Sequence, residues 1–454
     1  MVEENDVNFI RLQFTDITGM LKNVAITKSQ LEKALDNECV FDGSSLDGFS
    51  REAESDMCLQ PDRDTFTMLP WRPAHYGVAR HGSMVNVLPW RPAHYGVARL
   101  ICDVYSPEGE PFGGDPRQIL KRQTERAAAL GYDFLVGPEC EFFLFQTDDN
   151  GLPTTTTHDS AGYFDLGVVD MGGDIRREIC LTLESMGFEV EASHHESSPG
   201  QHEIDFQYDT ALRTADNIMT FKMAVKSIAK ASGAYATFMP KPVIGSNGSG
   251  MHLNFALSQN GVNCFRDSSD LMGYGLSPVA YQFLAGILSH AGALTAVCNQ
   301  TVNSYKRLIT GDEAPSYITW SHSSRSPLVR VPVNGSKGET KLELRSPDPS
   351  ANPYLALACC LAAGLDGIEK KMTPPPAVDG SCYTMSAAQR EKLGIRPLPA
   401  NLHEAVEELK KDSVISGVFG THALNSFLQE KESEWRDYSR SVTGWEVSNY
   451  LEMY

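Results

Sequence analysis

The chain begins with an alternation of apolar and polar residues that is typical of half-buried β-strands. Phe9–Phe14 alternates in this way, Asp16–Gly19 predicts a turn, and Leu21–Ile26 predicts a partner strand. The next residues, Thr27–Gln30, have the form of a capping box before a short helix that ends at Leu35. The pattern therefore predicts a small ββα-type unit at the start of the chain.

Helical and strand patterns alternate over the middle of the chain. Asp115 and Pro116 provide an N-cap and a proline at the first helical position, and that helix is predicted to run to Leu130 and stop at Gly131. Further helices are predicted at Asp174–Met186, Thr210–Ser232, Pro278–Val297 and Pro353–Lys371. Strands are predicted near Phe134–Val136, Glu141–Phe145, Phe188–Ser193, Ala236–Met239, Met251–Ala256 and Lys341–Arg345. From about Pro374 the pattern is mostly helical.

One segment is duplicated without a change. LPWRPAHYGVAR occurs at Leu69–Arg80 and again at Leu88–Arg99, so the repeat has a period of nineteen residues. A solenoid needs at least three units, which leaves a recent tandem duplication or an artefact of the sequence. Only one copy can occupy a given strand position. The other copy, with His81–Val87, is expected to form a surface loop.

Composition narrows the class of protein. The chain has 454 residues, which predicts two or three domains, and a net charge of −19, which argues against nucleic acid or an anionic membrane as a partner. The ten cysteines form no CxxC pair, and the adjacent Cys359 and Cys360 lie in an apolar helical run, which favours buried free thiols. Signal-peptide features and long apolar runs are absent from the sequence, so we expect a soluble cytoplasmic protein.

Carboxylates in apolar or glycine-rich surroundings carry the strongest chemical signal. On a strand, Glu139 and Glu141 share one face, where a lone buried charge would be costly. Such acids either lie on a solvated face or bind cations, and oxygen-rich sets favour Mg²⁺ or Mn²⁺ over zinc. Two such ions suit chemistry on nucleotide phosphates. The candidate ligands are Glu139, Glu141, Glu196, Glu203, His252 and Glu343.

Spaced arginines, and not a P-loop, are the candidate phosphate-binding residues. The GxxxxGK[ST] motif does not occur, whereas guanidinium forks bind carboxylate and phosphate bidentately. For any single arginine, a salt bridge to a nearby acid is the alternative. The glycine-rich segment Asn247–His252 lets the backbone approach a ligand closely, and Thr310–Pro315 is turn-rich, as a mobile flap would be. The arginines are Arg307, Arg325, Arg330 and Arg345.

Several motifs together resemble type I glutamine synthetase. They are GPECEFFLF, HHESSPGQHEIDF, NGSGMH, NSYKRL with GDEAP, SRSPLVRVP and KLELRSPDPSANPYL, and FDGSSLDGF and ESDM match the N-terminal pattern. The resemblance covers nearly the whole chain in order. It implies an α+β fold with an N-terminal β-grasp domain at residues 1–108, which contains the duplicated segment, and a catalytic domain at residues 109–454, whose twisted antiparallel sheet forms a funnel with surrounding helices.

The resemblance also implies roles for individual residues. Ligands of a first metal, which faces glutamate, are Glu141, Glu196 and Glu203. Ligands of a second metal, which faces the nucleotide phosphates, are Glu139, His252 and Glu343. Glutamate would contact Asn247, Gly248, Arg307 and Arg345, and ATP or phosphate would contact Arg325, Arg330 and Tyr208. Asp42 would receive ammonium in the site of a neighbouring subunit, and Glu313 would be the acid of the flap.

The implied reaction is ATP-dependent ligation of ammonia to the γ-carboxylate of L-glutamate through γ-glutamyl phosphate, with two or more Mg²⁺ (or Mn²⁺) ions in each site. The implied assembly is a dodecamer with active sites between adjacent subunits, and a PII-type regulator is a candidate partner. Two alternatives stay open. One is a γ-glutamyl ligase for another amine, against which the acidic Asp42 speaks, and the other is a non-catalytic oligomeric member of the family.

Regulatory features can be compared in the same way. Gly394–Pro399 lacks the tyrosine of adenylylated members, so that control is not expected here. Arg51 occupies the place of an arginine that senses glutamine in feedback-inhibited members, with a surface salt bridge as the alternative. Ser324 and Asp312 depart from the family pattern beside the phosphate arginine and in the flap. Both departures concern turnover rate or affinity, not the type of reaction.

Overall fold

The structure is a computed structural model that describes residues 1–44, 46, 56–71, 96–309, 313–332 and 340–454. The first described residues form a sheet of five strands in the order β2-β1-β5-β4-β3. The central pair, β1 and β5, is parallel, and the other pairs are antiparallel. The elements are β1 (Val7–Thr15), β2 (Leu21–Thr27), α1 (Leu31–Leu35), β3 (Cys39–Asp42), β4 (Asp56–Met68) and β5 (Gly96–Tyr105).

The predicted start of the chain is confirmed except at the helix cap. β1 and β2 pair antiparallel, and β1 buries alternating apolar residues such as Ile10 and Leu12 in the core of this sheet. The predicted capping box at Thr27–Gln30 is wrong. Thr27 makes no capping hydrogen bond because its hydroxyl pairs with the hydroxyl of Ser29 at 3.0 Å, and a 3₁₀ turn precedes α1.

The second copy of the duplicated segment supplies a strand. Its last residues, Gly96–Arg99, open β5, and Leu69, the first residue of the first copy, directly follows β4. The backbone N–H of Leu69 donates to the Val97 carbonyl at 2.9 Å. The surface loop that we expect around His81–Val87 lies outside the described residues.

A second sheet, with eleven described strands, follows in the chain. Its main path is β14-β15-β16-β12-β6-β9-β8, while β7, β10 and β11 pair with β6 and β13 pairs with β12. The strands are β6 (Asp133–Thr147), β7 (Pro153–Thr157), β8 (Val190–His195), β9 (Gln201–Phe206), β10 (Asp209–Thr210), β11 (Ala234–Thr237), β12 (Met251–Gln259), β13 (Val262–Asn263), β14 (Trp320–Ser321), β15 (Val329–Arg330) and β16 (Leu342–Leu344). All main-path pairs except β14–β15 are antiparallel.

The long central strand β6 corrects one prediction. Phe134–Val136 and Glu141–Phe145 are predicted as separate strands, but they belong to one strand that stays extended through Gly137 and Pro138. The register pairs Gly137 with Asn254 of β12. A Cβ at Gly137 would lie 2.7 Å from the Tyr208 ring, so this glycine allows close packing instead of making a turn.

Helices cover the second sheet and form the end of the chain. They are α2 (Pro116–Ala129), α3 (Gly173–Ser185), α4 (Ala211–Ala231), α5 (Pro278–Ser289), α6 (Ala291–Cys298), α7 (Ser304–Arg307), α8 (Pro353–Glu369), α9 (Ala387–Lys392), α10 (Leu402–Lys411), α11 (Ser413–Phe419), α12 (Thr421–Arg440) and α13 (Gly444–Tyr450). Asp115 caps α2 by accepting from the Arg117 N–H at 2.9 Å, as predicted. The predicted stop at Gly131 is confirmed by its φ of +86°.

The predicted helix Pro278–Val297 is two helices. α5 ends at Ser289, α6 begins at Ala291, and the two are bent by 73°. His290 lies at the break, where its ring contacts two acids on other elements. An apolar pattern does not record contacts between distant residues, so it predicts one straight helix. Among the described helices, none is long and apolar enough by itself to cross a membrane, and α5 with α6 meets that test only as a bent pair.

Helix α8 lies at the centre of the larger core. It packs against α5 and α2, and its residues from Pro353 to Gly367 are buried. Cys359 and Cys360 are fully buried free thiols, as predicted. The helix therefore holds the helical layer together behind the sheet.

Candidate active site

Four neighbouring strands bring the predicted metal ligands together. Across β6 and β9, Glu141 lies opposite Glu203, and across β6 and β12, Glu139 lies opposite His252. Glu343 lies on β16, the next strand beyond β12. Alternation along β6 therefore directs Glu139 and Glu141 to the same face.

Glu139, His252 and Glu343 form one compact group. Nδ1 of His252 lies 3.2 Å from Oε2 of Glu139 and 3.7 Å from Oε1 of Glu343. Ligand atoms of these three residues all lie within 4.8 Å of one another. Burial opposes ionisation of Glu139, but hydrogen bonds from His252 and Asn254 outweigh burial and lower the pKa of Glu139 to about 2.

A second group contains Glu196 and Glu203. Ligand atoms of His194, Glu196 and Glu203 lie within 4.8 Å of one another, and Nε2 of His194 lies 2.9 Å from Oε1 of Glu196. Glu141 faces Glu203 and accepts hydrogen bonds from the Gly250 N–H at 2.9 Å and from Gln201 Nε2 at 2.7 Å. His194 was not among the predicted ligands, although its place in the HHE sequence is a recognisable signal.

The carboxylates of the two groups lie so close together that their negative charges repel one another, and hydrogen bonds do not fully offset this repulsion. Burial, together with the charges of Asp205 and Glu141, raises the pKa of Glu203 well above its ordinary value. Burial and the charge of Glu139 raise the pKa of Asp205 to about 7. Such a surplus of buried oxygen ligands, with one histidine in each group, fits hard divalent cations better than zinc. Asp205, like His194, was missed by the sequence reasoning.

Asp159 and His195 form a third group, which contacts the backbone of Glu196. Nε2 of His195 lies 3.1 Å from Oδ1 of Asp159, and Nδ1 of His195 contacts the Glu196 carbonyl at 2.7 Å. Oδ1 of Asp159 also accepts from the Gly200 N–H at 2.8 Å. Asp159 thus supports the turn between β8 and β9 that carries Glu196, in the way that outer hydrogen bonds orient metal ligands.

Arginines approach the same face from β15 and β16. Arg345 contacts Oε1 of Glu343 at 2.5 Å, and Arg330 contacts Oε2 at 2.9 Å. Arg307 is buried and donates to the carbonyls of Ser346 at 2.6 Å and Arg345 at 3.1 Å. Arg330 and Arg345 therefore share the carboxylate of Glu343.

The glycine-rich loop lies beside the carboxylates. A Cβ at Gly250 would lie 2.7 Å from Nη2 of Arg307 and 2.8 Å from Nε2 of His252, so only glycine fits without displacing both side chains. The Gly248 carbonyl accepts from Gln201 at 3.3 Å, and the Asn247 N–H donates to the Ser198 hydroxyl at 2.7 Å. These contacts fix the loop beside Gln201 and Ser198.

Other predicted residues lie apart from this cluster. Arg325 and Glu313 are exposed, and Arg325 has no ion pair within the part of the chain that the structure describes. Asp42 is exposed at the end of β3 in the N-terminal sheet, where its carboxylate accepts from the Ser44 N–H. The Tyr208 ring packs on Gly137 and lies 5.4 Å from Nζ of Lys341. Arg51 and Asp312 lie outside the described residues.

Comparisons with known proteins agree with this geometry. Residues 113–450 match the family model described as glutamine synthetase, catalytic domain, and residues 6–107 match the glutamine synthetase β-grasp domain. The chain is 54% identical to the glutamine synthetase of Clostridium saccharobutylicum, over 100% of this chain and 98% of that protein. It is 53% identical to the glutamine synthetase of Thermus thermophilus, over 99% and 97%.

Solved structures show the same fold. A structure described as a GmaS/ADP complex superposes with a TM-score of 0.84 at 34% identity and covers 99% of this chain and 98% of that one. The Plasmodium falciparum glutamine synthetase superposes with a TM-score of 0.83 at 25% identity, over 99% and 96%. These matches confirm the predicted α+β fold with a β-grasp domain. The chain belongs to the glutamine synthetase family, as an enzyme that makes glutamine from glutamate and ammonia with ATP.

Proposed function

We propose that the chemistry takes place around Glu343, with ATP activating the γ-carboxylate of glutamate as γ-glutamyl phosphate. The observation that carries this proposal is the meeting of two guanidiniums and one imidazole at a single buried carboxylate. Arg330 and Arg345 contact Glu343 directly, and His252 lies 3.7 Å away. Fixed guanidiniums held in this way beside a potential metal position can stabilise the negative charge of a transferring phosphoryl group.

Two divalent cations, Mg²⁺ or Mn²⁺, would complete the site. Glu139, His252 and Glu343 would hold one, and Glu141, Glu196 and Glu203 would hold the other. When bound, these ions neutralise the crowded carboxylates and stabilise negative charge on phosphate oxygens as Lewis acids. The raised pKa values of Glu203 and Asp205 support this assignment, because carboxylates that repel one another in this way need a counter-charge.

The arginines and the glycine-rich loop would orient the substrates. Arg307 and Arg345, with Asn247 and Gly248, would hold the carboxylates of glutamate. Arg330 would hold the transferred phosphate, as would Arg325, whose exposed side chain is free to close on a ligand. Tyr208 would contact the nucleotide. Such positioning converts the encounter of two bound substrates into an effectively unimolecular step.

Ammonium would bind where acidic side chains converge. Asp42 would enter the site of a neighbouring subunit and, with Glu313 on the flap, would accept the proton that ammonium must lose to become a nucleophile. A closed flap would also exclude water, so that attack by ammonia competes well with hydrolysis. Asp42 makes ammonia a better substrate than an alkylamine, because an acidic pocket suits a small cation.

The test compares amines as substrates. Phosphate release from ATP is measured with glutamate and, in separate reactions, ammonium, methylamine or a polyamine. We expect ammonium to give the largest stimulation. A larger stimulation by an alkylamine would favour a γ-glutamyl ligase for another amine, and no stimulation by any amine would favour a non-catalytic oligomer.

Assembly and regulation follow as further parts of the proposal. We expect a type I dodecamer that works in the cytoplasm without adenylylation and responds to glutamine through Arg51, with a PII-type protein as a candidate regulator. Electron microscopy of the particle tests the assembly. We expect glutamine to inhibit the Arg51→Ala variant several-fold more weakly than the wild type. An unchanged inhibition curve would favour the alternative, in which Arg51 forms only a surface salt bridge.

A further inference from the structure

A cleft separates the N-terminal sheet from the helices of the catalytic domain. Its volume is about 180 Å³, and it lies between β4 and β5 on one side and the segment after α3 and the start of α4 on the other. None of the predicted metal ligands or phosphate arginines lines it. The cleft is therefore distinct from the proposed active site.

An unpaired arginine lines this cleft. Arg99, on β5, is only 5% exposed, and within the described residues it has no hydrogen bond and no ion pair. Its Nε atom is buried without a partner. A guanidinium in this position costs considerable free energy unless a counter-charge is present, and buried charges in folded proteins are normally paired.

The charge of Asp216 offsets part of the cost of burying Arg99, but no nearby acid among the described residues contacts its guanidinium, because other groups already occupy their carboxylates. Both carboxylate oxygens of Asp216 accept from Arg117, at 3.0 and 2.9 Å, and one of them also accepts from the Tyr354 hydroxyl at 2.7 Å. Asp62 accepts from the same Arg117 at 2.7 Å. Burial lowers the pKa of Arg99 to about 10, so the side chain remains charged at neutral pH.

Other features of the cleft also favour negative charge. The N-terminus of the 21-residue helix α4 lines it through Thr210 and Leu212, and the Thr210 side chain makes no capping hydrogen bond. The first peptide N–H groups of a helix attract anions. Arg213 adds a second guanidinium to the wall, paired at 3.2 Å with Asp209. Asp64 is the opposing acid, and it is exposed, so water and salt screen its charge.

We propose that the cleft binds a small oxyanion, a carboxylate or a phosphate, with Arg99 as its principal ligand. The planar fork of the guanidinium can donate two parallel hydrogen bonds to such a group, with Thr210 and Arg213 at the other wall. Because the anion would contact both β5 and α4, its binding would tie the N-terminal sheet to the catalytic domain. This makes the cleft a candidate effector site, independent of the active-site assignments.

Crystals of the full-length protein soaked in selenate provide the direct test. An anomalous peak is expected within hydrogen-bonding distance of the Arg99 guanidinium, and it is expected to be absent from crystals of Arg99→Met. A wild-type map without a peak at Arg99, or a peak that persists in the variant, would overturn the proposal. The wild-type map decides the question even if the variant does not fold.

Thermal unfolding provides an independent test and identifies the source of the oxyanion. Inorganic phosphate and malonate are titrated separately, and the one with the larger Arg99-dependent shift is the better ligand model. At saturation we expect the wild-type Tm to rise by about 2–4 °C more than that of Arg99→Met. Arg126→Met, which removes an exposed arginine paired with Glu369, is the matched control and should keep the full shift.

The stability of Arg99→Met without added anions tells whether an anion or a protein group neutralises Arg99. Without added anions, Arg99→Met should be at least as stable as the wild type, because it removes an unpaired buried charge. A marked loss of stability under those conditions would show that a protein group already neutralises Arg99, and would contradict the proposal.

Discussion

Three basic side chains converge on Glu343. It is 1% exposed and contacts Arg330 and Arg345, with His252 at 3.7 Å. Its loss would leave two guanidiniums and a potential metal position without their shared carboxylate. Truncation at this position should therefore affect catalysis far more than folding of the surrounding strands.

We expect Glu343→Ala to lower kcat at least about 100-fold, because it removes both a proposed metal ligand and the anchor of two arginines that we propose to bind substrate. Phosphate release measures turnover, calorimetry measures metal binding, and light scattering measures the oligomer, which should be unchanged. Glu369→Ala, at an exposed ion pair, is the control. Normal turnover in Glu343→Ala would remove this residue from the site.

Sequence reasoning at the residue scale succeeds where strand alternation decides the outcome. The common face of Glu139 and Glu141 follows from the two-residue period of a strand. His194 and Asp205 were missed because their proximity depends on the register between strands, which local pattern does not encode. The pairing of Glu139 with Asp205 across β6 and β9 appears only once the sheet is assembled.

At the scale of elements, the break between α5 and α6 is fixed by a buried histidine. Nδ1 of His290 contacts Asp412 at 2.6 Å, and Nε2 contacts Asp366 at 3.0 Å. Asp366 belongs to α8, and Asp412 is the N-cap of α11. Burial alone would lower the pKa of His290, but these two acids outweigh it and raise the pKa above 6.5.

Stability should therefore fall as pH rises through the folded-state pKa of His290. A raised pKa means that the charged histidine contributes fully below its unfolded-state pKa of about 6.5, and that the contribution is lost above the folded-state value. Unfolding in denaturant at a series of pH values measures this slope. His290→Gln should flatten it, whereas an unchanged slope would assign the pH dependence to other groups.

Close contact between α5 and α8 depends on glycine. A Cβ at Gly286 would lie 2.1 Å from the Ala363 carbonyl oxygen, which is backbone and cannot move aside. We expect Gly286→Ala to destabilise the protein by about 1–3 kcal/mol or more, through overpacking. In the control Gly292→Ala, the three atoms nearest to the new Cβ belong to the Glu408 side chain and lie at 3.3 Å, so a shift of a few tenths of an ångström suffices. Equal unfolding midpoints for the two variants would contradict this packing argument.

Most elements could be predicted from the sequence because their caps and stops are local. Asp115 and Gly131 mark the limits of α2 for this reason. The break at His290 could not be predicted, because the acids that stabilise it lie 76 and 122 residues away in the chain. The close approach of the Tyr208 ring to Gly137 of β6 likewise joins residues far apart in the chain, which a local pattern does not record.

At the scale of the whole molecule, Arg117 on α2 links the N-terminal sheet to helix α4. This side chain is 3% exposed and pairs with Asp62 of β4 and Asp103 of β5, each at 2.7 Å, and with Asp216 of α4 at 2.9 Å. One cation therefore neutralises acids from both parts of the molecule. The resemblance to a family predicts the two domains, but only the folded structure identifies this joint.

We expect Arg117→Met to destabilise the protein by about 3–5 kcal/mol, because it leaves several buried carboxylates without their partner. Arg126→Met removes an exposed pair and should cost less than about 1 kcal/mol. Denaturant unfolding at one fixed protein concentration measures both, since assembly shifts apparent stability. Equal losses for the two variants would contradict the role of Arg117.

The hydrogen bond from Leu69 to Val97 has an evolutionary consequence. The bond joins the first residue of the first copy to a residue near the end of the second copy. The sheet therefore fixes these two residues as anchors, and not the number of residues between them. The entropy of closing a loop grows only logarithmically with its length, by about 0.6 kcal/mol per doubling. A duplication between these two anchors therefore adds little closure entropy and leaves the pairing of β4 with β5 in place.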